Sequence, residues 1–248
     1  MKYFTWRAVM GISLVFSALI LFAVHYLIFH DLHHIMIYTV HDIAFLPLEV
    51  LLVTLILHHF LEKREKRSML KKMNMMIGTF FNEAGGNFLK SLSQCDPDLN
   101  RLSLKLRIEM NWNEKKFQEI IESFSAQDFK ISFSLKIVKQ LKVQLQQKRN
   151  FLLGLLQNPN LLEHESFTDL LWAVFHLLDE LANRKTIFNL PLTDKQHLEG
   201  DMKRAYNLLV KEWLRYMLHL KQDYPYLYSL AVRTNPFNTG ASVIIKGK

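Results

Sequence analysis

An all-α fold, an N-terminal transmembrane helical hairpin continuing into a cytosolic α-helical bundle, is what three features of the sequence predict. Residues 8 to 61 contain no Lys or Arg. That stretch divides into two apolar runs, each long enough to cross a bilayer at about 1.5 Å per residue. Beyond it the chain becomes densely charged, and its apolar residues recur at helical spacing between capping and breaking residues. With 50% hydrophobic residues, 22% charged residues, 8 Gly and 6 Pro in 248, the chain is neither disordered nor collagen-like. Its single cysteine, Cys95, excludes an intrachain disulfide and a multi-cysteine zinc site.

The first run, from Ala8 to Phe29, has His25 and the outermost Tyr26 as its only ionisable side chains and predicts a helix over about 8–29. A secretory signal has a shorter apolar core and then a small-residue cleavage site. Here the run passes through HDLHH into a second apolar run, so the segment is expected to be retained. The second predicted helix, about 36–61, carries His41, Asp42, Pro47 and Glu49. Lys2 and Arg7 precede the first helix and EKREKRSMLKK follows the second. The positive-inside rule then places both termini in the cytoplasm, the hairpin in the plasma (inner) membrane, and Cys95 in a reducing compartment.

Residues 62–86 read as a juxtamembrane helix. Met69, Leu70, Met73, Met76, Ile77, Phe80 and Phe81 form one stripe, and Gly85-Gly86 is expected to break or kink it. Residues 87–232 read as the bundle. Asn113 is the expected N-cap of EKKFQEIIESF, and one long run extends from about Ser132 to Gln157 before Asn158-Pro159. Ser166 with Asp169 forms a capping-box variant opening the next helix, and Thr193 with Gln196 opens the run to about Gln222. Strand-like alternation is confined to short FKISF and the terminal SVII. Residues 233–248, with Asn-Pro and Thr-Gly breakers, read as a mostly irregular tail.

The segments FHDLHHIMIY, HDIAFLPLEVLLVTLILHHFLEKREKR, NMMIGTFFNEAG, NPNLLEHESFTDLLWAVFHL and YPYLYSLAVRTNPF resemble those of a group of uncharacterised prokaryotic two-helix integral membrane proteins of similar length. The resemblance spans nearly the whole chain. It implies an integral membrane protein with a cytosolic helical region, and no activity, ligand or catalytic residue.

Candidate sites follow from residue type and spacing. Asp42 and Glu49 lie two helical turns apart on one face, inside an apolar run where a carboxylate costs at least about 2.5 kcal/mol unless it faces protein or water. Depth matching along the hairpin puts His25 level with Asp42, and Ser17 near Glu49. The pair reads as helix-packing acids or, alternatively, as a proton or cation path; Pro47 adds a point of weakness by freeing the carbonyl of Ile43. His30, His33 and His34 at the hairpin, with Asp31 and His41, have spacings that suit zinc or copper, against the plainer reading of a solvated turn. Glu165, Asp169, Trp172 and His176 fall on one side of a predicted helix. They read as buried hydrogen-bonding groups or as half of a metal or acid/base site that a facing helix would complete. Tyr224, Tyr226, Tyr228, Arg233 and Phe237 form either a partner-binding surface or a lid on the bundle core.

The formal charge of +8 is spread among Glu and Gln without a nucleic-acid recognition motif, so no nucleic acid is expected. Phosphate-binding, dinucleotide and nucleophile-elbow motifs are missing from the sequence, which favours a protein without catalytic residues or cofactor. The sequence therefore leads to a non-enzymatic, membrane-anchored, homo-oligomeric module that binds or signals to a cytosolic protein partner. A proton or cation conductor using Asp42 and Glu49 is the alternative, and a membrane-bound metalloenzyme the second alternative.

Overall fold

A computed structural model describes residues 2–125, 127–162, 164–238 and 240–244. Helices form throughout, and no strand occurs among the described residues. The last residue of SVII and the rest of the tail, 245–248, lie outside them. Two compact units divide the chain, Met1–Lys66 and Arg67–Lys248.

The first unit is a helical hairpin of α1 (Lys2–Phe29) and the first part of α2 (Leu32–Phe80). Only His30 and Asp31 link the helices. His30 takes the left-handed conformation (φ 49°) needed for so tight a reversal, and Asp31 Oδ1 accepts the backbone N–H of His34 at 3.0 Å. This link is shorter than the depth matching assumed. The His25 ring accordingly stacks on His34 at 5.8 Å rather than lying level with Asp42. Pro47 sits within α2, which continues through it. Both apolar runs remain uncovered, with Leu19, Phe22, Leu51, Leu55 and their neighbours exposed.

In the second unit, Met73, Ile77 and Phe80 at the end of α2 turn into a core that continues through Phe81, Ala84, Phe88, Leu89 and Leu92. Gly85-Gly86 does not break the helix. Residues Phe81–Gly85 wind as one π turn and lead directly into α3 (Gly86–Ser93). The glycine is needed for close packing: a Cβ on Gly85 would lie 2.5 Å from Phe80 Cε1. Two adjacent phenylalanines thereby enter the core together, Phe80 edge-on to Phe167 at 5.4 Å and Phe81 stacked on Tyr216 at 5.2 Å.

The chain continues through α4 (Leu99–Lys105), α5 (Glu114–Ser125), α6 (Leu135–Gln147), α7 (Arg149–Leu156), the short α8 (Pro159–Leu162), α9 (Glu165–Asn183), α10 (Leu192–Asp223) and α11 (Pro225–Arg233). Asn113 caps α5 as expected, its Oδ1 accepting Lys116 N–H at 2.8 Å. Other boundaries depart from expectation. The run from Ser132 splits at Lys148 into α6 and α7. The cap of α9 is the His164 ring, whose Nδ1 accepts Phe167 N–H at 3.1 Å, so Ser166 and Asp169 fall inside the helix. Thr193 likewise lies within α10, which starts after Pro191. FKISF forms no strand: Phe129 N–H donates to Asn207 Oδ1 at 3.2 Å and Phe133 N–H to Glu199 Oε1 at 2.6 Å. Side chains of α10 thus do the work of a ladder partner.

α10 is the spine. Its buried stripe of Leu198, Met202, Ala205, Leu209, Trp213 and Leu220 meets α9, α5, α3 and α11, while α6 and α7 pack on α9. The segment after α11 is irregular but docked. Asn235 Nδ2 donates to Leu106 O at 2.8 Å, and the buried Phe237 ring lies 5.2 Å from Trp213. Cys95 is also buried, and desolvation pushes its thiol up to about 11. Burial is likewise the largest cause raising Asp96 and Tyr206 above their ordinary values.

Arg184, just past α9, clamps the turn into α10. It donates to Glu180 Oε2 at 2.5 Å and, through two nitrogens, to both oxygens of Asp194 at 2.7 and 3.1 Å. These bonds hold both carboxyls below the usual carboxylate range.

Gly85→Ala is expected to destabilise the protein by roughly 1–3 kcal/mol through overpacking against Phe80, measurable by denaturant unfolding. Arg184→Met is expected to cost about 2 kcal/mol at pH 7. Because the clamped carboxyls titrate lower when folded than when unfolded, their stabilisation is complete above the unfolded values of about 4 and fades as pH falls through the folded ones. The gap between the natural protein and Arg184→Met should therefore narrow in acid. A pH-independent gap would show that the clamp does not act through charge.

Candidate functional site

Along the seam between α9 and α10, polar residues recur at one-turn spacing on both helices. On α9 they are His176 and Glu180, with Arg184 just beyond; on α10 they are Asp194, His197 and Asp201. The short connection makes the helices antiparallel, so the two series meet in reverse order: His176 beside Asp201, Glu180 beside His197, and Arg184 beside Asp194. Neighbouring Leu198 and Met202 are fully buried, so Asp201 emerges from an apolar floor and is only 4% exposed.

The histidines bridge the same two carboxylates. His176 Nε2 lies 3.5 Å from Asp201 Oδ2 and 3.9 Å from Glu180 Oε1. His197 Nε2 lies 3.3 Å from Asp201 Oδ2 and 3.6 Å from Glu180 Oε2. Each carboxylate is also held by an arginine, Arg184 on Glu180 Oε2 and Arg204 on Asp201 Oδ1 at 3.3 Å. Arg184 is the largest cause of the lowered Glu180 carboxyl, outweighing its partial burial. Asp201 Oδ2 is buried and makes no hydrogen bond, although both imidazoles approach within ion-pair range.

Of these residues the sequence singled out only His176. Glu180, His197, Asp201 and the arginines were missed, although His-x-x-x-Glu at 176–180 and His-x-x-x-Asp at 197–201 were there to find. Glu165 and Asp169 are exposed and are not the buried hydrogen-bonding groups expected; Trp172 is also exposed. Asp169, Trp172, His176 and Arg204 share an open cleft of about 420 Å³ with Ala173 and Leu208.

The other candidates scatter. His41, Asp42 and Glu49 are exposed on the hairpin, with His41 stacked on Phe45 at 6.3 Å. His33 is exposed, and His30, His33 and His34 form no three-donor cluster among the described residues. Of the aromatic segment, Tyr226 is exposed, but Phe237 and Tyr228 are buried and cannot offer a contact surface. Tyr228 donates its hydroxyl to Glu109 O at 2.8 Å, and Arg233 donates to Ser229 O and Val243 O. Tyr224 packs edge-on to His219. These contacts hold the segment against the rest of the helical unit.

Two family models match the chain: an N-terminal helical domain of MJ1433 over residues 2–61, and the C-terminal helical domain of the uncharacterized protein MJ1433 over residues 69–233. The uncharacterized protein MJ1433 of Methanocaldococcus jannaschii is 42% identical over 236 residues, covering 95% of both chains. No solved structure matches. The kinship with uncharacterised proteins expected from the sequence is met in that form: the chain belongs to the MJ1433 family of helical proteins.

Proposed function

We propose that the protein is a membrane-anchored module whose hairpin spans the bilayer and whose helical unit works in the cytoplasm, binding a partner rather than turning over a substrate. The observation carrying this reading is the bare apolar surface of the hairpin. Two helices are long and apolar enough to cross a membrane, and none of their most apolar windows is buried within the chain. A core helix of a water-soluble protein has the same composition but is covered. Here Leu, Ile, Val and Phe stand exposed from Val9 to Leu61, far beyond the few hundred Å² of contiguous apolar surface typical of soluble monomers. The basic residues at Lys63, Arg64, Lys66 and Arg67 supply the cytoplasmic flank.

Exposed Asp42 and Glu49 carry a second element of the proposal. A carboxylate facing lipid is costly, so that face meets another copy of the hairpin, making the protein a homo-oligomer in the membrane. Packing is the role assigned to the pair, with ion conduction as the alternative.

Topology is checked by cysteine labelling in intact cells. Because Cys95 is buried, the natural chain should be nearly silent. His33→Cys should label from outside and the exposed Lys115→Cys only after the membrane is opened. The reverse pattern, or labelling of both from one side, would overturn the two-span reading. For the acids, Glu49→Gln should leave oligomer size unchanged, whereas Glu49→Leu should weaken association by roughly 0.6 to 2 kcal/mol in detergent dilution experiments. Proton or cation flux in reconstituted vesicles, lost in Glu49→Gln with the oligomer intact, would instead establish conduction.

A further inference from the structure

We infer that the seam between α9 and α10 is a binding site for a divalent transition-metal ion, held by His176 Nε2, Glu180 Oε1 and Asp201 Oδ2, with His197 Nε2 as fourth donor. This does not depend on the membrane reading. His176, Glu180 and Asp201 each offer a ligand atom within 4.8 Å of the other two. Among the named donor atoms, His197–Asp201, His176–Asp201 and His176–Glu180 measure 3.3, 3.5 and 3.9 Å. Metal–ligand bonds of about 2.0–2.1 Å in a tetrahedron place neighbouring ligand atoms roughly 3.4 Å apart. The donors therefore stand close to where an ion would hold them.

A plain ion-pair cluster shares these distances, so the case rests on how the carboxylates are used. Asp201 Oδ2 is buried, makes no hydrogen bond and points at both imidazoles. Leaving a carboxylate oxygen unsatisfied in an apolar floor is expensive, and a cation between it and the histidines satisfies it directly. The outer oxygens show the same division of labour. Arg184 occupies Glu180 Oε2, which His197 also approaches at 3.6 Å, and Arg204 occupies Asp201 Oδ1, leaving Glu180 Oε1 beside His176 and Asp201 Oδ2 beside both imidazoles. Arginines hydrogen-bonded to the far oxygens of ligating carboxylates fix their orientation, the usual task of groups behind a metal's direct ligands.

Two imidazoles and two carboxylates favour zinc, Fe(II), Mn(II) or Co(II) over soft Cu(I), which prefers thiolates, and over Ca(II), which prefers an all-oxygen shell. The histidine side chains are about half exposed, at 46% and 53%, so an ion can enter from solvent. The cleft lined by Trp172, Arg204 and His176 leaves room beside it for water or a small anion.

The test uses the untagged full-length chain in detergent, stripped with EDTA and equilibrated with Co(II), which reports coordination by its visible absorption, and in parallel with Zn(II) and Mn(II). One ion per chain is expected, with a Co(II) spectrum typical of a low-coordinate nitrogen–oxygen site that Zn(II) abolishes. Asp201→Asn and His176→Gln should each weaken binding by about 10- to 100-fold or more, while His33→Asn/His34→Asn in the hairpin should leave it unchanged. His176→Gln changes a half-exposed side chain and keeps the test valid should Asp201→Asn disturb folding. Uptake that survives both α9–α10 variants, is lost in the hairpin variant, or never occurs under metal excess would overturn the assignment.

Discussion

The antiparallel packing of α9 on α10 is the contact on which the rest of the second unit depends. α10 buries residues from Leu198 to Leu220, and α9 buries Phe167, Leu170, Leu171, Val174, Leu177 and Leu181 in the same core. Once those apolar stripes interdigitate, the reverse register of the polar residues beside them is fixed. Arg184 secures the register at the turn, and His176 then meets Asp201 across the seam. Around them, α3, α5 and α11 pack on α10, and α6, α7 and α8 on α9. A slip of one turn along this seam would misplace both the core and the histidine–carboxylate cluster.

The hairpin and the helical unit were legible to different degrees because different physics shapes them. Apolar runs without Lys or Arg announce two long apolar helices, and both are present in the structure. In the charged region, helix existence was readable from spacing, but helix ends were not. Ends are set by single groups finding a partner: the His164 ring takes the capping role expected of Ser166, and Lys148 interrupts a run whose periodicity does not falter. Gly85 misled for a related reason. Glycine disfavours helices locally, yet here the space beside Phe80 has room only for a hydrogen, and tertiary packing overrides propensity.

The polar cluster was half visible for a topological reason. His176 stood out on a helix rich in Leu and Phe, but its partners His197 and Asp201 lie 21 and 25 residues away on another helix, where spacing on one helix says nothing of what faces it. Residues that did share its face by sequence, Glu165 and Asp169, turned out to be exposed. Two copies of a His-x-x-x-acid spacing on consecutive helices joined by a short link carry more information than either alone. Antiparallel helices bring such pairs together whenever their midpoints are equally distant from the turn.

Charge counting shows why this seam suits a dication without requiring the fold to be rebuilt. Glu180, Asp194 and Asp201 bring three negative charges, and Arg184 and Arg204 bring two positive ones. With both histidines neutral, one negative charge remains, concentrated where Asp201 Oδ2 makes no hydrogen bond. Protonating both histidines adds two positive charges, and so does a divalent ion bound to neutral histidines. The two states have the same net charge, with positive charge centred between the same carboxylates. Exchanging two protons for one metal ion therefore leaves the electrostatic load on the α9–α10 contact nearly unchanged. The difference is geometric, because a protonated imidazole donates along one N–H direction whereas a metal draws all the donors toward one point. The arginines behind the carboxylates favour the second arrangement, since they hold in place the acids that an ion needs and that two half-exposed imidazoles do not.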